Sequence, residues 1–303
     1  QSRSSAASDV YKRQVFTKQR FSGNPLAVIS EAQGLSDFQM QQIAREFNFS
    51  ETTFVFPAQL GQTRQVRIFT PVREIPFAGH PNIGTAFALA QDGAFGNLDN
   101  SLEVVFEEAA GLVPVSINKD HQGLISCELN APEPLWLGKT VSKALIANIL
   151  NLNTSDILCT THEPQEASVG LEFLFVEIAS YEALKKAQVN LEALTALSDQ
   201  GVIAHVHLYF QSHDEFDVRV RMFAPLDGVP EDPATGSANC ALVALLSHFN
   251  SATEGDFNWR ISQGSEMGRP SVLNGRTEKR QGRVSGVWIS GNSVLVSEGT
   301  LKI

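Results

Sequence analysis

One short pattern occurs twice in this chain. His80-Pro81-Asn82-Ile83-Gly84-Thr85-Ala86 and Asp232-Pro233-Ala234-Thr235-Gly236-Ser237-Ala238 both read [H/D]-P-x-x-G-[S/T]-A. Their offset, 232 − 80 = 152, is almost half of the 303 residues. The likeness extends upstream, where Val66-Arg67-Ile68-Phe69-Thr70-Pro71 aligns with Val220-Arg221-Met222-Phe223-Ala224-Pro225, and Pro76 with Pro230. That upstream offset is 220 − 66 = 154, so a two-residue length difference falls before His80. A period this long excludes a solenoid and predicts two related domains facing each other. At 303 residues the length also suits two domains better than one.

Each copy also carries chemistry. Pro disfavours helix at the residue before it and suits a helix start. Gly lets backbone approach a ligand, and Thr85 or Ser237 is placed to cap the following helix. Free N–H groups at such a start, reinforced by the helix dipole, make an anion site. Two copies predict two such sites, with His80 beside one and Asp232 beside the other. Two capped turns with no ligand is the plainer reading, but His and Asp suit a mere cap poorly.

Hydrophobic residues at 43% and charged residues at 18% describe ordinary globular material. The net charge of −10 argues against nucleic acid or an anionic membrane as a partner. A carboxylate substrate must then be held by local dipoles. Cys127, Cys159 and Cys240 have no ligand-like spacing, which argues against a disulfide framework or zinc and for a cytoplasmic setting. No apolar run reaches the ~18 residues of a membrane span. Residues 1–14 are polar and unlike the rest of the chain, and are expected to be a non-native or disordered lead.

The expected architecture is α+β: two pseudo-symmetric domains, each a curved mixed or antiparallel sheet around a central apolar helix. The helices are expected to open at Thr85 and Ala238, apolar nearly all round and therefore in need of cover on every side. The first domain is expected to run over 15–120, completed by a last strand at 293–303, and the second over 121–292. The join is expected at the polar, Gly-containing stretch Asn118 to Gly123. Ser36 with Gln39 reads as a capping box for a helix that ends near Asn48. Stretches 141–150 and 181–197 read as amphipathic helices outside the second sheet. Glu51 falls where helix hands over to strand, between Phe49 and Phe54. Read alone it is a surface carboxylate at a strand end. Held among aromatic rings, it becomes a desolvated proton carrier. Gln263-Gly264-Ser265-Glu266-Met267-Gly268-Arg269-Pro270-Ser271 reads on spacing as a hairpin whose glycines admit close backbone.

F-S-G-N-P-L-A-V at 21–28, N-F-S-E-T-T-F at 48–54, F-A-G-H-P-N-I-G-T-A at 77–86, E-D-P-A-T-G-S-A at 231–238 and Q-G-x-x-x-G-R-P-S at 263–271 resemble, in order, the motifs of the PhzF family of isomerases. That resemblance implies the diaminopimelate epimerase-like fold, an active site in the cleft between halves, neither metal nor organic cofactor, and homodimers. It places the proton-carrying acid at Glu51, with His80, Asp232 and Ser237 as the other catalytic residues. Gly79, Gly236 and Pro81, with Asn24 and Ser50 in their motifs, are expected to bind substrate. Asn82 and Ile83 depart from the family pattern, as do Asn239 and Cys240, which leaves substrate identity open.

The expected function is a cofactor-independent isomerase or epimerase that moves a proton on a small carboxylate by Glu51 acid–base catalysis. A catalytically silent small-molecule binder or scaffold of the same fold is the alternative. A two-thiol epimerase needs a Cys at each turn, where His80 and Asp232 stand, and Cys240 reads as core. A metal site at His205 and His207 lacks further ligands at suitable spacing. Neither G-x-G-x-x-G nor G-x-x-x-x-G-K-[S/T] is present, against a nucleotide site.

Overall fold

The computed structural model describes residues 7–96, 98 and 100–302. The chain divides into two compact units: residues up to Asn130 together with those from Ser290, and Ala131–Ile289. The fold is α+β.

Unit 1 is a mixed sheet. β1 (Ala7–Val15) lies antiparallel to β2 (Asn24–Ile29), and β2 lies parallel to β3 (Glu51–Phe56). β3 is antiparallel to β4 (Arg64–Phe69), which also pairs with the short β5 (Glu74–Ile75). β4 runs parallel to β6 (Ser101–Glu108), and β7 (Gly111–Lys119) and β8 (Ile125–Asn130) follow as antiparallel neighbours. Helix α1 (Asp37–Phe47) starts at Ser36 with the capping box closed by Gln39 and stops at left-handed Asn48. Its Met40 and Ala44 pack with Ala27, Ile29, Phe54 and Phe69 on one face of the sheet. Helix α2 (Gly79–Gln91) crosses the unit, and every residue from Gly79 to Leu89 is buried.

Unit 2 repeats the pairing pattern. β9 (Trp136–Thr140), β10 (Gln165–Ser168) and β11 (Glu172–Glu177) are successive antiparallel neighbours. β11 is parallel to β12 (Val206–Gln211), and β12 is antiparallel to β13 (Val218–Ala224), which also holds β14 (Val229–Asp232). β13 is parallel to β15 (Gly255–Gln263), and β15 is antiparallel to β16 (Ser271–Arg280), so parallel and antiparallel alternate as they do from β2 to β7. Helices α3 (Lys143–Leu150), α4 (Tyr181–Lys186) and α5 (Leu191–Ser198) pack Ile146, Leu150, Leu184 and Leu194 against Leu174, Val176 and Leu208. Each such side chain contributes about 1.5–3 kcal/mol by leaving water. Helix α6 (Gly236–Phe249) is the buried central helix of this unit, against β10, β11, β15 and β16. β17 (Arg283–Gly291) leads to β18 (Ser293–Lys302), which pairs with β1 of unit 1.

Four expectations change. Residues 1–6 of the expected lead lie outside the described residues. Residues 7–14 are not a lead: they form β1 between β2 and β18. Arg13 there is 1% exposed, donates to Ser293 Oγ at 3.0 Å and Gln91 Oε1 at 2.8 Å, and lies over the Phe87 ring. Its polarity hid a strand in which Arg13 is buried and satisfied. The stretch 118–123 is a hairpin turn, not a join, because Asp120 Oδ1 accepts from the backbone N–H of Gln122 and Leu124. The unit boundary instead falls after β8. The helix read at 181–197 is two helices, since Asn190 caps α5 by accepting from Ala193 N at 3.2 Å. The central helix of unit 1 begins at Gly79, not Thr85.

Candidate active site

In unit 1, three neighbouring backbone ends bring polar side chains together. Asn24 opens β2, Glu51 opens β3 beside it, and His80 is the second residue of α2. His80 Nε2 lies 3.4 Å from Glu51 Oε2, with side chains 4% and 17% exposed. Ser50 Oγ donates to Asn24 Oδ1 at 3.4 Å, and the Asn24 amide nitrogen lies 3.5 Å from His80 Nδ1. Burial pushes the His80 imidazole down to about 3, against a hydrogen bond to the Pro25 backbone. The ring is therefore neutral at ordinary pH. Pro25 has no N–H, so its carbonyl accepts from the ring. That puts the proton on Nδ1 and leaves a lone pair on Nε2, facing Glu51. The Asn24 contact asks for the reverse, but a side-chain amide can turn over and a carbonyl cannot.

The rings flanking Glu51 do not enclose it. Phe54 stands three positions along the strand, on the opposite face. There it packs edge-on to Phe69, within the cluster under α1. Phe49 stacks on Phe47. Glu51 lies instead against the buried imidazole of His80 at the start of α2.

In unit 2, Asp232 ends β14 and is 5% exposed. Its Oδ2 accepts a short hydrogen bond from Thr235 Oγ1. Gly236 and half-buried Ser237 are the first two residues of α6. The turn before them is held by Gln263, which spacing alone did not single out. Its Oε1 accepts from Thr235 N at 3.0 Å and Asn239 Nδ2 at 2.7 Å. Its Nε2 donates to the Asp232 carbonyl at 2.8 Å and to Thr235 Oγ1 at 2.9 Å. Ser271 Oγ adds a bond to the Pro233 carbonyl at 2.8 Å. Gly264 is required there: its φ is +76°, and a Cβ would meet the carbonyls of Pro233 and Arg269 at 2.5 Å. The signal for this clamp was the Gln-Gly pair opening the motif at 263–271.

The two helix starts correspond, but not in the register the sequence suggested. α2 starts at Gly79 and α6 at Gly236, an offset of 236 − 79 = 157. The fourth helical residue of each is Asn, donating to the carbonyl just before the helix: Asn82 to Ala78 at 3.0 Å, Asn239 to Thr235 at 2.9 Å. His80 therefore matches Ser237, and Asp232 lies on an entry three residues longer than that of unit 1. Gly84 and Thr85 are not a cap. They lie inside α2, where Thr85 Oγ1 bonds Thr53 Oγ1 at 2.9 Å and a Cβ on Gly84 would meet Leu26 at 2.4 Å. Pro81, third in the helix, falls where no N–H partner is needed. Neither N-cap uses a side chain to fill the first N–H groups: Ala78 has none to offer, and Thr235 spends its hydroxyl on Asp232. Both starts can bind an anionic or polarised oxygen.

The remaining candidates lie elsewhere. His205 pairs with Asp227, while His207 is fully buried beside Asn239 and pushed down to about 3. Among the described residues no group of three or more His, Cys, Asp or Glu is set to hold a metal ion. Cys240 is buried inside α6, its thiol pushed up to about 12 by burial. No described helix is long and apolar enough to cross a membrane.

The phenazine biosynthesis-like family model (PhzC-PhzF) matches residues 13–299. An uncharacterized isomerase of Mesorhizobium japonicum is 35% identical over 298 residues, covering 95% of this chain and 97% of its own. The trans-2,3-dihydro-3-hydroxyanthranilate isomerase of Pseudomonas aeruginosa is 36% identical over 287 residues, covering 94% of this chain and 95% of its own. A PhzF-family phenazine biosynthesis protein of Bacillus anthracis superposes with a TM-score of 0.88 at 23% identity, over 98% of this chain and 100% of that one. The chain thus belongs to the PhzC-PhzF family of phenazine biosynthesis-like proteins, among whose relatives are named isomerases.

Proposed function

We propose that this protein is an isomerase that moves a proton between carbons of a small carboxylate, with Glu51 as the carrier. The observation that carries this reading is the contact of Glu51 with neutral His80 at the uncapped head of α2. As carboxylate, Glu51 takes a proton from a carbon beside an electron-withdrawing group, and the electron pair left behind spreads into that group. As carboxylic acid, it returns the proton to another carbon of the same skeleton. The proton moves within one skeleton with no change of oxidation state, so the step calls for no redox cofactor. His80 Nε2 faces Glu51 as an acceptor and orients it while protonated. Asn24 and Ser50 hold that pair in place.

In this reading the backbone N–H groups at Gly79, in the turn shaped by Pro81, receive the substrate's carboxylate or the developing oxyanion. In unit 2 the backbone N–H of Gly236 and the Ser237 hydroxyl are placed to receive an anionic oxygen, and Asp232 a polar substituent. Each preorganised donor of this kind is typically worth about 3 kcal/mol in a water-poor site. With a net charge of −10, local donors and not the protein's overall field must hold the anion.

The substrate of the Pseudomonas aeruginosa relative, trans-2,3-dihydro-3-hydroxyanthranilate, fits this chemistry and is the first compound to try. The test follows deuterium entering that compound, and a panel of small cyclic carboxylates, in heavy water. Wild type is expected to exchange at carbon, and Glu51→Gln to lose the exchange while keeping its fold. Undiminished exchange by Glu51→Gln sinks the assignment.

A further inference from the structure

The clamp on α6 has a counterpart in unit 1 that differs by one chemical group. β4 and β13 share the run V-R-[I/M]-F-x-P, so Val66 matches Val220. β6 pairs with β4 in the register Arg64 to Phe106 and Gln65 to Glu107. β15 pairs with β13 in the register Val218 to Ile261, Arg219 to Ser262 and Val220 to Gln263. Continued by one residue, the first register sets Glu108 at the place of Gln263. Gln263 grips Asn239, the fourth residue of α6. Glu108 has the fourth residue of α2, Asn82, as its hydrogen-bonding neighbour.

Both carboxyl oxygens of Glu108 are sealed from solvent without a hydrogen bond that meets strict geometry, and Asn82 is fully buried. A carboxylate so placed lacks the donors an ionised group needs, whereas a neutral carboxylic acid offers one acceptor and one donor, as a glutamine amide does. Burial pushes the Glu108 carboxyl up to about 8, opposed by the Asn82 contact. The charged groups around it do not offset this. Arg67 and Glu74 line the same depression, but Arg67 is paired with Glu74 and Asp37. Glu107 accepts from the backbone of Gln59, Leu60 and Gln62. Arg64 on β4 donates to the Thr63 carbonyl, β7 carries only Lys119 at its far end, and α2 carries only neutral His80.

We propose that Glu108 is a positioning residue of the α2 half-site: held as a neutral carboxylic acid where unit 2 has Gln263, it grips Asn82 and so fixes the turn that carries Gly79 and His80. The proposal rests on the reading of that turn as part of the active site, and adds that this grip carries a group able to change its charge. In unit 2 the same grip cannot titrate.

The test is nuclear magnetic resonance on protein labelled with 13C at Glu carboxyls and 15N at His rings. The Glu108 signal is the one absent from Glu108→Gln. It is expected to titrate with a midpoint near 8, and the His80 ring signals of wild type are expected to shift with the same midpoint. Glu108→Gln is expected to keep the low-pH His80 signals at every pH, because its amide grips without titrating. Glu108→Leu, if it folds, is expected to show displaced His80 signals throughout. A Glu108 midpoint in the ordinary carboxylate range overturns the proposal. So do His80 signals that ignore the Glu108 titration, or a Glu108→Gln protein that behaves like Glu108→Leu. None of these signals needs turnover, so a protein without isomerase activity refutes the proposed function and leaves this test intact.

Discussion

The starts of α2 and α6 use the same backbone plan with different chemistry. Each begins at Gly, places a polar residue second and ties a fourth-position Asn back to the preceding carbonyl. Around α2 the groups are few and titratable: His80, Glu51 and Glu108. Around α6 the entry is longer, and Gln263, Thr235 and Ser271 hold it with neutral hydrogen bonds. The strand neighbours differ in the same way. Thr52 pairs with Phe69 as Val206 pairs with Phe223, so His205 stands where Glu51 does, and it is turned to Asp227. A duplicated turn can thus keep its geometry while one copy gathers titratable groups and the other is braced.

The largest expected effect separates the two starts by chemistry. Glu51→Gln should lower proton transfer by roughly 10²–10⁴-fold, the usual range for a general acid–base group, with little change in melting temperature. His205→Gln at the matching place should leave proton transfer unchanged, read in the same deuterium assay. Next is the brace. Gln263→Ala strips partners from Thr235 and Asn239 and should cost about 2–4 kcal/mol in urea unfolding, since unmet buried groups cost about 1–3 kcal/mol each. Gly264→Ala should also be strongly destabilising, because its left-handed backbone lies against two carbonyls.

A pH series then tests burial in both units. His80 and His207 are each pushed down to about 3 from an ordinary 6.5. The unfolded chain gains those protons first, so their share of stability is complete above about 6.5 and is lost as pH falls toward 3. Removing either with an Asn substitution should flatten the acid limb of the stability curve in that window. An unchanged limb would show that the rings are not held neutral.

The smallest effect tests the corrected register. Gly84 matches Ala241 at the offset of 157. Gly84→Ala should destabilise by about 1–3 kcal/mol, because its Cβ meets Leu26 and Val15 at 2.4 and 2.7 Å. Ala241→Gly should cost about 1–2 kcal/mol, from helix propensity and the loss of one buried methyl without any clash. Equal costs would mean that the two positions share one environment.

Much of this was legible in the sequence. The apolar helices had to be central because they lack a polar face. The turn residues pointed to Glu51, His80, Asp232 and Ser237, and the structure brings Glu51 to His80. The register failed because Gly84 and Gly236 look alike as letters. One is a site of close packing and the other a helix start. Phe54 misled because a neighbour three residues along a strand faces away. Arg13 misled because composition reads a basic residue as exposed, while its guanidinium is satisfied inside the unit by Ser293, 280 positions away.

By itself the sequence determined the duplication, the fold class and the kinds of group at each turn, since these follow from local pattern and from what apolar faces must cover. Only the tertiary structure decided which glycine opens each helix, what surrounds Glu51, and that Glu108 and Gln263 stand at equivalent places. Those facts depend on strand register, and register is set by pairing between segments far apart in the chain, which no local run of residues encodes.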